Sequence, residues 1–265
     1  MTFAQNWTLD EEVETALQEV NRIRTVLGLD PVTLSEELSE GCYNHARYLT
    51  LNSGHPDVRG LGAHEENPEL EGYSKNGQIA GKHSVIAYER PSTAVAAWDA
   101  TFYHRIPLLQ PELKTIGIGW YKGPESNWPI SLIDCITGTE GKPNRDYVCA
   151  PRNGQTEVPT HMGAEIPHPV GQQGSYGYPI TVYFTKYQKI TEVRFQLLDA
   201  GGAAVPCYLS EPEAPATDFT QWNTICAIPK EPLRPGKVYT IKVRCMVDEL
   251  RFNKTIKFKT QSIGE

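Results

Sequence analysis

The sequence has no run approaching the roughly 18–20 consecutive apolar residues that a membrane-spanning helix requires, so no membrane span is expected. It also lacks an excess of positive charge: 25 Lys and Arg stand against 32 Asp and Glu, for a net charge of -7. A nucleic-acid footprint needs a basic surface, and this balance argues against a general nucleic-acid binder. Cysteine, at six residues, is below the density of a disulfide scaffold, and no C-x-x-C pair offers a zinc framework. The first residues, Met1-Thr2-Phe3-Ala4-Gln5-Asn6-Trp7, have neither a basic flank nor an apolar core and do not read as a signal peptide. The chain is expected either to stay in the cytosol or to begin after a removed leader. There is no phosphate-cradling glycine loop, no G-x-S-x-G elbow and no H-E-x-x-H zinc helix. Repeats and low-complexity tracts are missing too.

What is present describes a globular, loop-rich and partly β protein: 39% hydrophobic and 22% charged residues, with 20 Pro and 22 Gly. At 265 residues there is room for two domains, each with its own core. Residues 8 to 27 read as an amphipathic helix, with Asp10-Glu11-Glu12 at the positive end of its dipole and Val13, Leu17, Val20 and Leu27 at helical spacing. Ser35 caps a second helix over residues 36 to 52, whose buried stripe is Leu38, Cys42, Ala46 and Leu49. His45 falls one position off that stripe, as a rim residue of a cleft or a partly exposed helix residue. From Ser53 to Gly81 the pattern dissolves into loops and turns, and so long an irregular stretch points to function. Helical period returns over Ser92 to Phe102. Thr115 to Tyr121 and Trp128 to Ile136 then read as a strand hairpin, in a small antiparallel sheet with helices outside it.

Near Pro151 the composition changes. Residues 151–160 read as a linker between a first domain, 1–150, and a second, 161–265. The second is strand-like: Tyr178–Phe184, Glu192–Leu198, Ala204–Leu209, Asn223–Ile228, Val238–Val247 and Phe252–Lys259 are the candidates, favouring an antiparallel β-sandwich of the immunoglobulin or fibronectin type III kind. Pro232 to Tyr239 resembles the loop and tyrosine-bearing strand near the end of such modules. Cys135 and Cys149 bracket a Gly/Pro/Asn-rich segment as a disulfide-closed loop would, which favours an oxidising compartment. Cys207, Cys226 and Cys245 allow one bridge at most among themselves, and Cys42 is expected to be a small buried hydrophobe.

The chemistry concentrates between Ala63 and Leu109. Two neutral imidazoles and a carboxylate are a standard shell for zinc with an open position for water. His64 and His104, with Glu65 or Glu66, meet that requirement by residue type. The alternative is that both histidines hydrogen-bond backbone carbonyls and hold irregular loops in place. Arg105 reads as a structural clamp on a carboxylate or carbonyls; Trp98, Phe102 and Tyr103 read as core and cleft wall. His161 and His168 are expected to be exposed among prolines. Ser84 beside His83 lacks a third group and does not make a nucleophile.

The order Leu38-x-x-x-Cys42-x-x-x-Ala46-x-x-Leu49, His64, Ala80-Gly81-x-x-Ser84, Trp98-x-x-Thr101-x-x-His104-Arg105-x-x-Leu108-Leu109 and Thr115-Ile116-Gly117-Ile118-Gly119 resembles the CAP superfamily (cysteine-rich secretory protein, antigen 5 and pathogenesis-related 1), in its bacterial SCP-like form. The resemblance spans roughly residues 10 to 136. It implies an α+β architecture, with an N-terminal α-β-α sandwich ahead of the C-terminal β-sandwich, and export to the exterior, periplasm or cell envelope. It also implies a cleft lined by two histidines and two acids. His64 and His104 match the two histidines. The acids do not carry over: Gly81-Lys82-His83 stands where Gly-Glu-Asn is usual, and Thr101 stands at a second acidic position. The cleft set is therefore His64, Glu65, Glu66, His83 and His104, with His64 and His104 as ligands if zinc or another divalent metal binds. No residue is assigned a catalytic role. The expected function is binding of a ligand or an envelope or extracellular partner. A metal-assisted hydrolase using His64, His104 and Glu65 or Glu66 is the alternative, and a structural attachment module a second.

Overall fold

The structure is a computed structural model that describes residues 7–140, 142–172, 174–185 and 188–262. Met1 to Asn6, on which the leader reading depends, lie outside the described residues. In chain order the elements are α1 (Glu11–Val26), β1 (Thr33–Leu34), α2 (Glu36–Leu51), two 3-10 turns (Pro56–Val58 and Gly60–His64), α3 (Lys75–His83), β2 (Ser84–Ala87), α4 (Pro91–Asp99) and α5 (Arg105–Leu108). There follow β3 (Thr115–Tyr121), β4 (Ile130–Asp134), β5 (Tyr147–Ala150), β6 (Gln155–Val158), β7 (Ile180–Phe184), β8 (Ile190–Leu198) and β9 (Ala204–Val205). The last are β10 (Cys207–Ser210), β11 (Thr224–Pro229), β12 (Val238–Val247) and β13 (Leu250–Thr260).

The chain divides into two compact units, and the division is not sequential. The first holds Met1–Thr25, Asp30–Trp98 and Glu112–Lys142; the second holds Val26–Leu29, Asp99–Pro111 and Pro143–Glu265.

In the first unit a four-stranded sheet runs in the order β1-β3-β4-β2. The expected hairpin is there, β3 antiparallel to β4, but β1 adds to β3 in parallel, so the sheet is mixed. The sequence sets the helix starts: Asp10 Oδ1 accepts from Val13 N at 3.0 Å, and Ser35 Oγ accepts from Leu38 N at 3.3 Å. Strand β3 alternates glycine with bulk, and each serves one face. A Cβ on Gly119 would sit 2.2 Å from Tyr43 N, so glycine there lets α2 lie directly on the sheet. Ile116, Ile118 and Trp120 point to the other face, where Trp120 Nε1 donates to Asp10 Oδ2 at 3.0 Å and the Arg90 guanidinium lies 5.2 Å from the Trp120 ring. Helix α2 thus covers one face, and Asp10 and Arg90, the residues just ahead of α1 and α4, reach the other. Under α2, Cys42, Ala46 and Leu49 are buried as expected, packed with Tyr48, Val58, Ala63, Ala80 and Leu132.

In the second unit two sheets form, β10-β11-β7-β5 and β6-β13-β12-β8-β9. Two apolar clusters each draw on both sheets: Ile180 with Tyr239, Ile241 and Phe258, and Val182, Phe184 and Ile225 with Ile190, Val243 and Cys245. The six expected strand regions are present, with Ala204–Leu209 split at Pro206 into β9 and β10. Residues 151–160, expected as a linker, contain β6, which pairs in parallel with β13. None of the six cysteines is disulfide-bonded. The expected loop closure between Cys135 and Cys149 is not made; Cys135 lies in the first unit and Cys149 on β5 of the second.

Candidate functional site

The candidate residues of the first unit sit where the second 3-10 turn meets the C-terminal half of α3. They rest on a buried brace from α2. His45 is fully buried, with Nε2 2.7 Å from Ala63 O and Nδ1 2.9 Å from Glu66 Oε1. Glu66 Oε2 accepts from Ser74 N at 2.8 Å. One turn along α2, Tyr48 Oη accepts from Asn67 N at 2.8 Å. Two side chains of one helix thus pin both ends of the segment that carries His64 and Glu65.

The hydrogen bonds fix the proton count of the brace. A carbonyl only accepts, so Nε2 of His45 carries a proton. The contact between Nδ1 and Glu66 Oε1 needs a second proton, on one side or the other. The pair is therefore neutral overall, as imidazolium with carboxylate or as imidazole with carboxylic acid. Neutrality is what allows two ionisable groups with no exposed side-chain surface to be buried together. The room for them comes from α3: a Cβ on Gly81 would lie 2.4 Å from His45 Cε1, and one on Gly77 2.4 Å from Glu66 Oε1.

Above this brace the exposed groups are polar. His64 Nδ1 donates to Gly81 O at 2.9 Å, which makes the neutral ring the Nδ1–H tautomer. Lys82 Nζ and Glu65 Oε2 pair at 3.2 Å with both side chains about half exposed. His83 Nδ1 is 2.8 Å from Thr137 Oγ1, whose own proton goes to the buried Asp134 Oδ2 at 2.7 Å. Since the hydroxyl proton is spent on Asp134, His83 Nδ1 is the donor. Its Nε2, with no partner among the described residues, carries the lone pair. Asp134 is held in turn by the backbone N–H groups of Ile136 and Thr137.

His104 belongs to the second unit. Its Nδ1 lies 3.4 Å from Glu165 Oε2, within ion-pair reach but off the line of a hydrogen bond. Arg105, 1% exposed, is the expected clamp: it donates to Asp99 O and to Pro179 O and lies 4.2 Å from the Tyr178 ring centroid. Phe102 and Tyr103 are buried, and Tyr103 Oη bonds Thr217 Oγ1 at 2.6 Å.

These placements decide what the donors can do. The structure brings His64, Glu65 and Lys82 together and turns Glu66 inward to His45 and Ser74. Glu65 is paired with an ammonium that would repel a cation. Among the described residues no group of three or more His, Cys, Asp or Glu is placed to hold a metal ion. Within the first unit, His64, Glu65, Glu66 and His83 as described do not converge into a donor set for zinc. His45, expected at a cleft rim or partly exposed, is instead fully buried because Ala63 O and Glu66 satisfy both ring nitrogens, and nothing in the sequence pointed to Thr137, Asp134 or Glu165. For His45 the available signal was the pair of glycines, Gly77 and Gly81, one helical turn apart.

A family model for the cysteine-rich secretory protein family, CAP, matches residues 17–128. That match supports the CAP superfamily for this stretch. The CAP-matched stretch takes in α2, the His64 segment, α3 and the segment bearing His104. No curated protein matches the chain. Among solved structures, CopC from Methylosinus trichosporium OB3b is 12% identical, covering 44% of this chain and 92% of its own, with a TM-score of 0.29. A DUF4426 family protein from Pseudomonas aeruginosa PAO1 is 11% identical, covering 32% of this chain and 66% of its own, with a TM-score of 0.24. Likenesses that low say nothing of what this chain does.

Proposed function

We propose that this CAP-like protein works outside the cytoplasm, in the cell envelope or beyond it, by binding a polar ligand or partner at the face formed by His64, Glu65, Lys82 and His83. The carrying observation is the combination of exposed groups above and a rigid neutral brace below. Glu65 and Lys82 offer opposite charges 3.2 Å apart, and an ion pair so exposed is held by less than about 1 kcal/mol, so either charge can exchange its partner for a ligand's. His83 Nε2 adds a hydrogen-bond acceptor. His45, Glu66 and Tyr48 keep the segment from shifting, which lowers the ordering cost of binding. The CAP match supports export.

The second unit is read as a β-sandwich of immunoglobulin or fibronectin type III kind. Its support is the pair of shared apolar clusters and the bond from Arg234 N to Tyr239 Oη at 2.8 Å, which ties a strand tyrosine back to the preceding loop. The site reading is tested by titrating the isotope-labelled chain with glycylglycine, a probe bearing both an ammonium and a carboxylate. Saturable amide shifts at residues 62–66 and 80–84 are expected. Shifts spread evenly over the surface would sink the reading. Export is tested by immunoblotting fractions of the native cells: a protein found wholly in the cytosol would overturn that part.

A further inference from the structure

The segment that carries His104 is secured by residues distant in the chain. Gly163 N donates to Ala100 O at 2.8 Å, Arg105 donates to Pro179 O, and Tyr178 Oη donates to Asp99 Oδ2 at 2.9 Å. The tightest tie is Glu165. Its side chain has no exposed surface, and its two oxygens accept from Phe102 N and Tyr103 N at 2.8 Å each. The same Oε2 faces the buried Nδ1 of His104 at 3.4 Å, while the ring as a whole keeps 16% exposure.

We propose that Glu165 is the positioning residue of His104, holding the neutral ring as its Nδ1–H tautomer so that Nε2 carries the lone pair offered to a ligand. Both carboxylate oxygens already meet N–H donors, so both present lone pairs. A lone pair on Nδ1 would face another lone pair across 3.4 Å of protein interior, whereas a proton there faces negative charge. The contact is long and off-line, as such bonds often are before a ligand draws the ring into place. A carboxylate behind one ring nitrogen is a recurrent way to set which nitrogen acts. The charge that orients this histidine thus comes from Glu165, beyond the CAP-matched stretch. The proposal rests on the sequence reading of His104 as a ligand-facing residue.

The test is a long-range proton–nitrogen correlation spectrum of the labelled full-length chain at about pH 8, above the ordinary histidine range, with His104→Gln to assign the signal. Wild type is expected to show one species, pyrrole-type at Nδ1 and pyridine-type at Nε2. Glu165→Ala is expected to move His104 toward the Nε2–H form, and Glu165→Gln, which keeps the shape, to give a mixture. A wild-type ring protonated at Nε2, or a folded Glu165→Ala with an unchanged tautomer, would overturn the proposal. Should Glu165→Ala fail to fold, the wild-type spectrum and Glu165→Gln decide alone. Acylation by diethyl pyrocarbonate separates the premise: a His104 with the expected tautomer that resists the reagent leaves the positioning role standing and removes the ligand-facing one.

Discussion

His45 and Glu66 show what a buried ionisable pair costs and what it secures. Each satisfies the other's proton requirement, so removing one leaves the other without a partner in the interior. Glu66→Ala and His45→Ala should each destabilise the fold by about 3–5 kcal/mol in urea unfolding. Glu66→Gln should cost far less, since its carbonyl can accept from Ser74 N while its amide donates to a neutral ring. Equal losses for Gln and Ala would contradict the proton count. The thiols set a second expectation. Desolvation, with the Asp134 charge adding, pushes Cys42 from 9.0 up to about 12, and burial takes Cys149 and Cys207 to about 12 and Cys245 to about 11. Above pH 9 the unfolded chain gives up thiol protons that the folded chain keeps. The stabilisation is thus complete below that pH and drains away toward about pH 12. The urea midpoint should fall between about pH 9 and pH 11; a level midpoint over that window would count against burial of these thiols.

At the scale of elements, α3 is the instructive case. The stretch from Ser53 to Gly81 reads as irregular because it carries eight helix-breaking Gly and Pro residues, at 54, 56, 60, 62, 68, 72, 77 and 81. The structure nonetheless makes a helix from Lys75 to His83, with Ser74 Oγ capping Gly77 N at 3.0 Å. Glycine costs a helix about 1 kcal/mol, and at positions 77 and 81 that cost is offset by the room given to Glu66 and His45. Periodicity cannot report such a trade, because the partner lies on another element. By contrast α1, α2, β3 and β12 were legible, since caps and alternating apolar positions are local signals. Gly81→Ala should therefore destabilise by about 1–3 kcal/mol despite better helix propensity, and a gain in stability would show that the ring has room to move. Arg105 on α5 was legible in kind but not in partner. Arg105→Lys keeps the charge and loses the fork that reaches both Asp99 O and Pro179 O, so urea unfolding should register a loss of about 2–4 kcal/mol. A loss under 0.5 kcal/mol would mean the fork matters little.

At the scale of the molecule, composition suggested a sequential division near Pro151, whereas the two compact units interleave along the chain. Asp99–Pro111 groups with the C-terminal half through Glu165, Pro179 and Tyr178, long-range partners that no local pattern announces. Of the candidate stretch from Ala63 to Leu109, His64, Glu65, Glu66 and His83 fall in the first unit and His104 in the second. Which of its acids faces outward depended on His45, a residue outside that stretch. The face of His64, Glu65, Lys82 and His83 is proposed to bind ligand. Binding there is tested most directly by comparing glycylglycine affinity in wild type and Lys82→Ala, followed through the amide shifts of residues 62–66 and 80–84. Loss of one charged contact predicts roughly tenfold weaker binding with the fold intact. Unchanged affinity in Lys82→Ala, or shifts confined to residues 143–262, would contradict it.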